Sequence, residues 1–183
     1  MPSKAILFDL DGTLTDNRVG ITGGCMAAQK AMGLPVSARE ELYCFIGPPL
    51  VEAFMEKWDL TRAQALEALA HYRAYYEKQG IFENVPYAGI HSLLTRLKEA
   101  GARLYVATSK PEPSSLKILE RFELLPYFDG VAGSLLNETR TKKSEVLQYA
   151  LEHFALSNTS SLMVGDRNHD VEGASAVGLP CVG

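Results

Sequence analysis

The sequence predicts an α/β protein: a Rossmann-like parallel sheet core carrying an inserted α-helical cap. Three observations predict it. Short apolar runs alternate with longer helical patterns in the second half of the chain, as βα units around a parallel sheet do. Those runs are nearly continuous in hydrophobicity, which suits strands covered by helices on both faces. Between Gly20 and about Gly80 the patterns are helical with no convincing strand, and this stretch falls between the first strand and the next βα unit. The expected division is a core of residues 1–15 and 86–183 with a cap of residues 16–85.

The elements follow in chain order. "AILF" (5–8) is the first strand and runs straight into Asp9, with Asp11, Gly12 and Thr13 beyond it. "ITGGCMAAQKAMG" opens the cap. "SAREELYCF" carries a Ser37-x-x-Glu40 capping box, and "TRAQALEALAHYRAYYEKQ" opens with a second, Thr61-x-x-Gln64. In that long segment Ala63, Leu66, Leu69 or Ala70, and Tyr76 are expected on one face. Trp58, Tyr72, Tyr75 and Tyr76 read as cap core, and "VPYAG" (85–89) as the return hinge. Ile90, Leu93, Leu94 and Leu97 then keep helical spacing up to a stop at Gly101. Strand "ARLYVAT" (102–108), helix "PSSLKILERF" (113–122), strand "FDGVAG" (128–133), helix "SEVLQYALEHF" (144–154) and strand "SLMVGD" (161–166) complete the alternation. "GLPCVG" reads as the opening of another buried strand. A βα domain covers such a strand with a further helix, so the natural chain is expected to be longer.

Bulk properties narrow the function. The 183 residues fit one large domain or a core with a modest insertion. A net charge of −4 without a long basic run gives no support for nucleic-acid binding. Cys25, Cys44 and Cys181 show no CxxC spacing and read as reduced thiols, not as a disulfide framework or zinc site. No segment is long enough to span a bilayer, and the N-terminal apolar run is too short for a signal peptide. The expected setting is the cytoplasm, with neither membrane nor nucleic acid as partner.

In open α/β sheets, ligands bind beyond the carboxyl ends of the strands. Asp9 and Asp11 follow the first strand. Thr108, Ser109 and Lys110 follow the second core strand, and Gly165, Asp166 and Asp170 follow "SLMV". A Lys142–Lys143 pair precedes the helix at 144. Two carboxylates about 4 Å apart repel by about 4 kcal/mol at an effective dielectric near 20, so converging acids call for a cation. Hard oxygen ligands suit Mg²⁺ better than zinc. No His or Cys is expected in the cluster; His169 lies between the acids but reads as a solvated loop residue. "TSK" (108–110), between strand and helix, reads either as a phosphate cradle or as an ordinary capped turn.

These residues resemble a known family. "FDLDGTLTD", "VATSK", a lysine ahead of a helix and "MVGDRNHD", in this order, are similar to the four motifs of the haloacid dehalogenase-like superfamily. The likeness is to its phosphatases with a helical cap after the first motif. "DGTLTDN…GI" and "FIGPPL" most resemble the phosphoglycolate phosphatase group and its 5′-nucleotidase-like relatives. The resemblance implies that Asp9 is a nucleophile forming an aspartyl-phosphate and that Asp11 is the acid/base. It implies Mg²⁺ held by Asp9, Asp166 and the Asp11 backbone carbonyl, with Asp170 in support and Gly12 permitting a sharp turn. Thr108 and the Ser109 amide would hold phosphoryl oxygens, beside a charge-neutralising lysine. Lys143 fits that lysine's spacing better than Lys142. Arg18 and Gly47, in the cap, are candidate substrate residues. The expected reaction is hydrolysis of a small phosphate monoester. A sugar phosphomutase is the alternative enzyme, and a non-catalytic binding protein on the same fold the alternative class.

Overall fold

A computed structural model describes residues 5–137 and 139–183. The chain divides into two compact units, residues 1–16 with 86–183, and residues 17–85. Its elements, in order, are β1 (Ala5–Phe8), β2 (Thr15–Asp16), α1 (Arg18–Ala31), α2 (Leu50–Trp58), α3 (Arg62–Lys78) and β3 (Val85–Pro86). They continue with α4 (Ile90–Glu99), β4 (Arg103–Pro111), α5 (Glu112–Arg121), β5 (Gly130–Ser134), α6 (Lys143–His153), β6 (Ser161–Val164), α7 (Asn168–Ala176) and β7 (Cys181–Val182).

The first unit is built on a five-stranded sheet in the order β5-β4-β1-β6-β7, and β2 pairs separately with β3. All neighbours in the larger sheet are parallel. This is the Rossmann-like α/β core expected from the apolar runs. Period-two alternation sorts its residues. Ala5 and Leu7 of β1, Tyr105 and Ala107 of β4, Ala132 of β5 and Met163 of β6 form one core with Val146, Leu147 and Ala150 of α6 and Ala174 of α7. Phe8 turns to the opposite face and meets Phe128 edge-on at 6.3 Å between ring centroids. Both α5 and α6 pack on β4 and β5, which is why these strands are apolar on both sides. β7 is the strand expected at "GLPCVG": it pairs parallel with β6, with Cys181 half-buried and Val182 exposed.

The strand order also locates the site. From β1 the chain goes to β4 and β5 on one side, and later to β6 and β7 on the other. The sheet therefore reverses direction of growth at β1, and the crevice beyond such a switch point is where α/β sheets bind ligands.

The second unit is helical. Thr61 caps α3 as its sequence predicts: its backbone N–H donates to Gln64 Oε1 (3.0 Å) and its hydroxyl accepts from the Gln64 N–H (3.4 Å). Two other expectations shift. The box read at Ser37 lies one residue later, where the Ala38 N–H donates to Glu41 Oε2 ahead of a 3₁₀ turn (Arg39–Phe45). Ser37 is instead held by Gln29, through its N–H and its hydroxyl. The buried face of α3 is Ala65, Ala68, Leu69, Tyr72 and Tyr76, while Ala63 and Leu66 face solvent. The alanine-rich repeat let two faces look equally apolar, and the aromatic rings decided between them. Phe54 stacks on Trp58 (4.2 Å) and Tyr72 on Tyr76 (5.5 Å). The small residues of α1 admit these rings, since a Cβ on Gly24 would stand 2.6 Å from the Tyr72 ring.

Candidate active site

The loop after β1 is a tight turn. The N–H groups of Leu14 and Thr15 both donate to the Leu10 carbonyl (3.0 and 3.1 Å), and the Gly12 N–H donates to the Thr15 carbonyl (2.8 Å). Gly12 sits at φ +95°, and a Cβ there would lie 2.5 Å from Asp166 Oδ2. Only glycine fits both the backbone and the neighbour. Asp9 and Asp11 are buried by this turn, and the Asp166 carboxylate lies against its backbone.

Around Asp9 one ammonium serves two carboxylates. Lys143, the first residue of α6, is buried, with its ammonium 2.8 Å from Asp9 Oδ1, 2.8 Å from Asp170 Oδ1 and 3.0 Å from the Ala107 carbonyl. Lys142, one residue earlier, is exposed. Burial alone would lower the proton affinity of Lys143, but the Asp9 and Asp170 carboxylates outweigh it and raise it. Asp170 uses its other oxygen to accept the Arg167 N–H (3.1 Å) at the start of α7. One carboxylate thus caps a helix and fixes the lysine. Gly173, one turn further on, leaves room for that lysine: a Cβ there would stand 2.7 Å from its Cγ.

Asp11 has a different partner. Lys110 Nζ lies 2.6 Å from Asp11 Oδ2, and both side chains are buried. Asp11 Oδ1 is buried with no hydrogen-bond partner. Burial raises the Asp11 carboxyl above its ordinary value even against the pull of Lys110, and the Asp9 charge adds to the rise. Lys110 arrives there because β4 is irregular: Ala107 pairs with Ala132 but Pro111 with Ser134, so four steps on β4 oppose two on β5. Such a bulge re-aims side chains. Within it Thr108 is buried and its Oγ1 accepts the Lys110 N–H (3.2 Å), while Ser109 Oγ is buried without a partner.

Asp166 completes the acids. It accepts from Thr13 Oγ1 (3.2 Å) and pairs with Arg167 Nε (3.1 Å). Burial, together with the Asp9 charge, raises its proton affinity. His169 overturns one expectation. It is the second residue of α7, half-buried, with Nε2 3.7 Å from Asp170 Oδ1, and it could join Asp9 and Asp170 around a metal ion. The helix begins before His169, winding its ring towards the acids instead of leaving it in a solvated loop. In that trio the Lys143 ammonium contacts both carboxylates and offsets one of their two charges. A second oxygen set is Asp9, Asp166 and the turn at Asp11–Gly12, where Lys143 meets Asp9 and Arg167 meets Asp166. Its donors are all hard oxygens, and the close approach at Gly12 leaves Asp166 pressed on the turn backbone, so these residues fit Mg²⁺.

The structure therefore gathers Asp9, Asp11, Thr108, Ser109, Lys143, Asp166 and Asp170 at the carboxyl ends of β1, β4 and β6. Arg18 and Gly47 belong to the helical unit. Arg18 opens α1 with its guanidinium 6.0 Å from the Tyr43 ring centroid, and Gly47 takes φ +101° ahead of α2. Thr13 and Arg167 are site neighbours that sequence reasoning did not assign, and Lys110, read only as part of the "TSK" segment, is found on Asp11. Spacing carried no signal for the Lys110–Asp11 pair, whose members are 99 positions apart.

Comparison with known proteins shows the family of the chain. Residues 6–183 match the family described as haloacid dehalogenase-like hydrolase. A 5′-nucleotidase of Pseudomonas aeruginosa is 43% identical over 178 residues, covering 97% of this chain and 80% of that protein. The tyrosine-protein kinase PtkA of Mycobacterium tuberculosis is 39% identical over 98% of this chain, which spans 61% of that protein. The crystal structure of a predicted phosphatase from Clostridium acetobutylicum superposes with a TM-score of 0.97 at 41% identity, covering 99% of this chain and 84% of that one. The chain belongs to the haloacid dehalogenase-like hydrolase family.

Proposed function

We propose that this phosphatase hydrolyses a small phosphate monoester, phosphoglycolate-like or a nucleoside monophosphate, through a phosphoryl group carried on Asp9 with Mg²⁺ as cofactor. One observation carries the reading: a buried carboxylate at the end of β1, held by the Lys143 ammonium at 2.8 Å, with a second buried carboxylate two residues on.

The chemistry follows from those groups. An Asp9 oxygen attacks phosphorus, and the bond from phosphorus to the ester oxygen breaks. Asp11 gives its proton to that departing oxygen, a task suited to an acid whose burial makes it hold the proton more tightly. Asp11 then takes a proton from water as the water oxygen attacks the phosphorus on Asp9, releasing phosphate and restoring both carboxyls. Lys143 holds Asp9 in place and offsets charge that develops on the transferred group. Thr108 and the Ser109 amide bind phosphoryl oxygens. Asp170 keeps Lys143 oriented. Asp9, Asp166 and the Asp11 carbonyl would hold Mg²⁺, which when bound would offset charge on the phosphoryl oxygens. Substrate choice is assigned to the helical unit, with Arg18 and Gly47 as its candidate contacts.

The test is phosphate release from a panel of small monoesters, with Mg²⁺ and with chelator, for wild type and Asp9→Asn. Metal-dependent release that falls by about 10⁴-fold or more in the variant is expected, as for loss of other enzymatic nucleophiles. Equal release from the two proteins would overturn the assignment. Accumulation of an isomeric sugar phosphate without free phosphate would replace it with a mutase.

A further inference from the structure

We propose that Lys110 is a positioning residue for acid/base catalysis: it grips Asp11 Oδ2 and thereby presents Oδ1 as the oxygen that exchanges protons with the substrate. The inference rests on Asp11 being the acid/base of the reaction proposed above.

The geometry separates the two oxygens of one carboxyl. Oδ2 is 2.6 Å from the Lys110 ammonium, and Oδ1 is buried with no partner. A carboxyl held only by packing can rotate and offer either oxygen. Here rotation would carry Oδ2 away from a buried cation and cost a charge-assisted hydrogen bond. As a stabilising device the pair is poor, because two buried ions gain little over well-packed apolar groups. A lone buried acceptor is costly too, unless some step of the reaction gives it a partner. Both costs are accounted for if Oδ1 is reserved for the ester oxygen in the first half-reaction and for water in the second. The two extra residues in β4 are what bring Lys110 to this place.

The balance is simple. In the first step the Oδ1 proton passes to the ester oxygen as its bond to phosphorus breaks and the bond from Asp9 forms. In the second, a water proton returns to Oδ1 as the water oxygen displaces Asp9. Lys110 keeps its three protons throughout.

A lysine that merely stabilises the fold would slow all substrates alike; a lysine that aims the acid would not. The test compares kcat/KM for p-nitrophenyl phosphate, whose leaving group needs no proton, with that for an alkyl phosphate such as phosphoglycolate, whose leaving group does. Lys110→Met, with Lys110→Gln as the second variant should the first fail to fold, is assayed with Mg²⁺ beside wild type. The alkyl ester should lose about 10²-fold, the lower range for general acid catalysis, and the aryl ester far less. The aryl reaction should also show a burst of nitrophenolate, about one per active site, because water attack on the Asp9 phosphoryl group still needs Oδ1. Equal losses on both esters without a burst, or no loss on either, would overturn the proposal and leave the phosphatase reading standing. Absence of hydrolysis by wild type would instead strike the phosphatase reading itself.

Discussion

Lys143→Met removes the cation on which two buried carboxylates depend. Its ammonium lies 2.8 Å from Asp9 Oδ1 and 2.8 Å from Asp170 Oδ1, and it also satisfies the Ala107 carbonyl. Taking one partner from a buried ion pair costs about 3–5 kcal/mol. Lys143 serves three acceptors, which points to the upper end, and the methionine stem refills much of the space. In a chain of this size each kcal/mol moves Tm by about 2–4 °C, so a fall of about 10–20 °C is expected. Lys142→Met, one residue away and exposed, should stay within about 0.5 kcal/mol of wild type. The pH dependence has a definite sign. The folded state raises the proton affinity of Lys143 above its ordinary value of 10.5. Its contribution is therefore complete below about pH 10.5 and lost as pH rises through the higher folded value. Thermal and urea melts of the three proteins between about pH 8 and pH 11 read this directly. Equal destabilisation by the two variants, or a Lys143→Met penalty that already shrinks between about pH 8 and pH 10, would refute the assignment of charge around Asp9.

Two further predictions concern the cation. Gly12→Ala places a Cβ 2.5 Å from Asp166 Oδ2 at φ +95°, so the half-saturating Mg²⁺ concentration for phosphate release should rise about tenfold or more, as for disturbed metal-site neighbours. Gly33→Ala, at φ +69° with no atom within 4 Å of its Cβ, should carry backbone strain alone and leave the Mg²⁺ dependence as in wild type; identical shifts for both would refute the role of the Gly12 approach. Secondly, burial and the Asp9 charge raise Asp166 above its ordinary 3.8, so protons compete with the metal at a higher pH than for an exposed aspartate. Calorimetric Mg²⁺ titration should show binding that weakens, with growing proton release, as pH falls through the acid range; constant affinity would contradict the fit of Asp166 to the metal.

Much of this was legible in the sequence because it is local. An apolar run ending in Asp9-x-Asp11-Gly12 announces a strand and a turn, and strand ends collect at one edge of a parallel sheet. Glycine at 12 and the Thr61–Gln64 box were readable for the same reason. What escaped depended on partners distant in sequence. The β4 bulge that delivers Lys110 to Asp11 is a register difference against β5, and a single strand does not reveal its neighbour's register. The face of α3 turned on which side met Phe54, whose ring centroid lies 6.4 Å from that of Tyr72, since its alanines offered two apolar stripes. His169 looked like a loop residue because the start of α7 is fixed by Asp170 accepting the Arg167 N–H, a contact that also belongs to the Lys143 network.

The central claim is that phosphorus bonds to Asp9, and the most direct measurement is to trap it there. Wild-type protein mixed with Mg²⁺ and p-nitrophenyl phosphate, quenched in acid within the first turnover and digested, should yield one phosphoryl group on the peptide containing Asp9, labile to hydroxylamine as an acyl phosphate is. Asp11→Asn should lengthen the life of that adduct, and Asp9→Asn should abolish it. Turnover by wild type with no phosphoryl group on Asp9 at any quench time, in Asp11→Asn as well, would contradict the account.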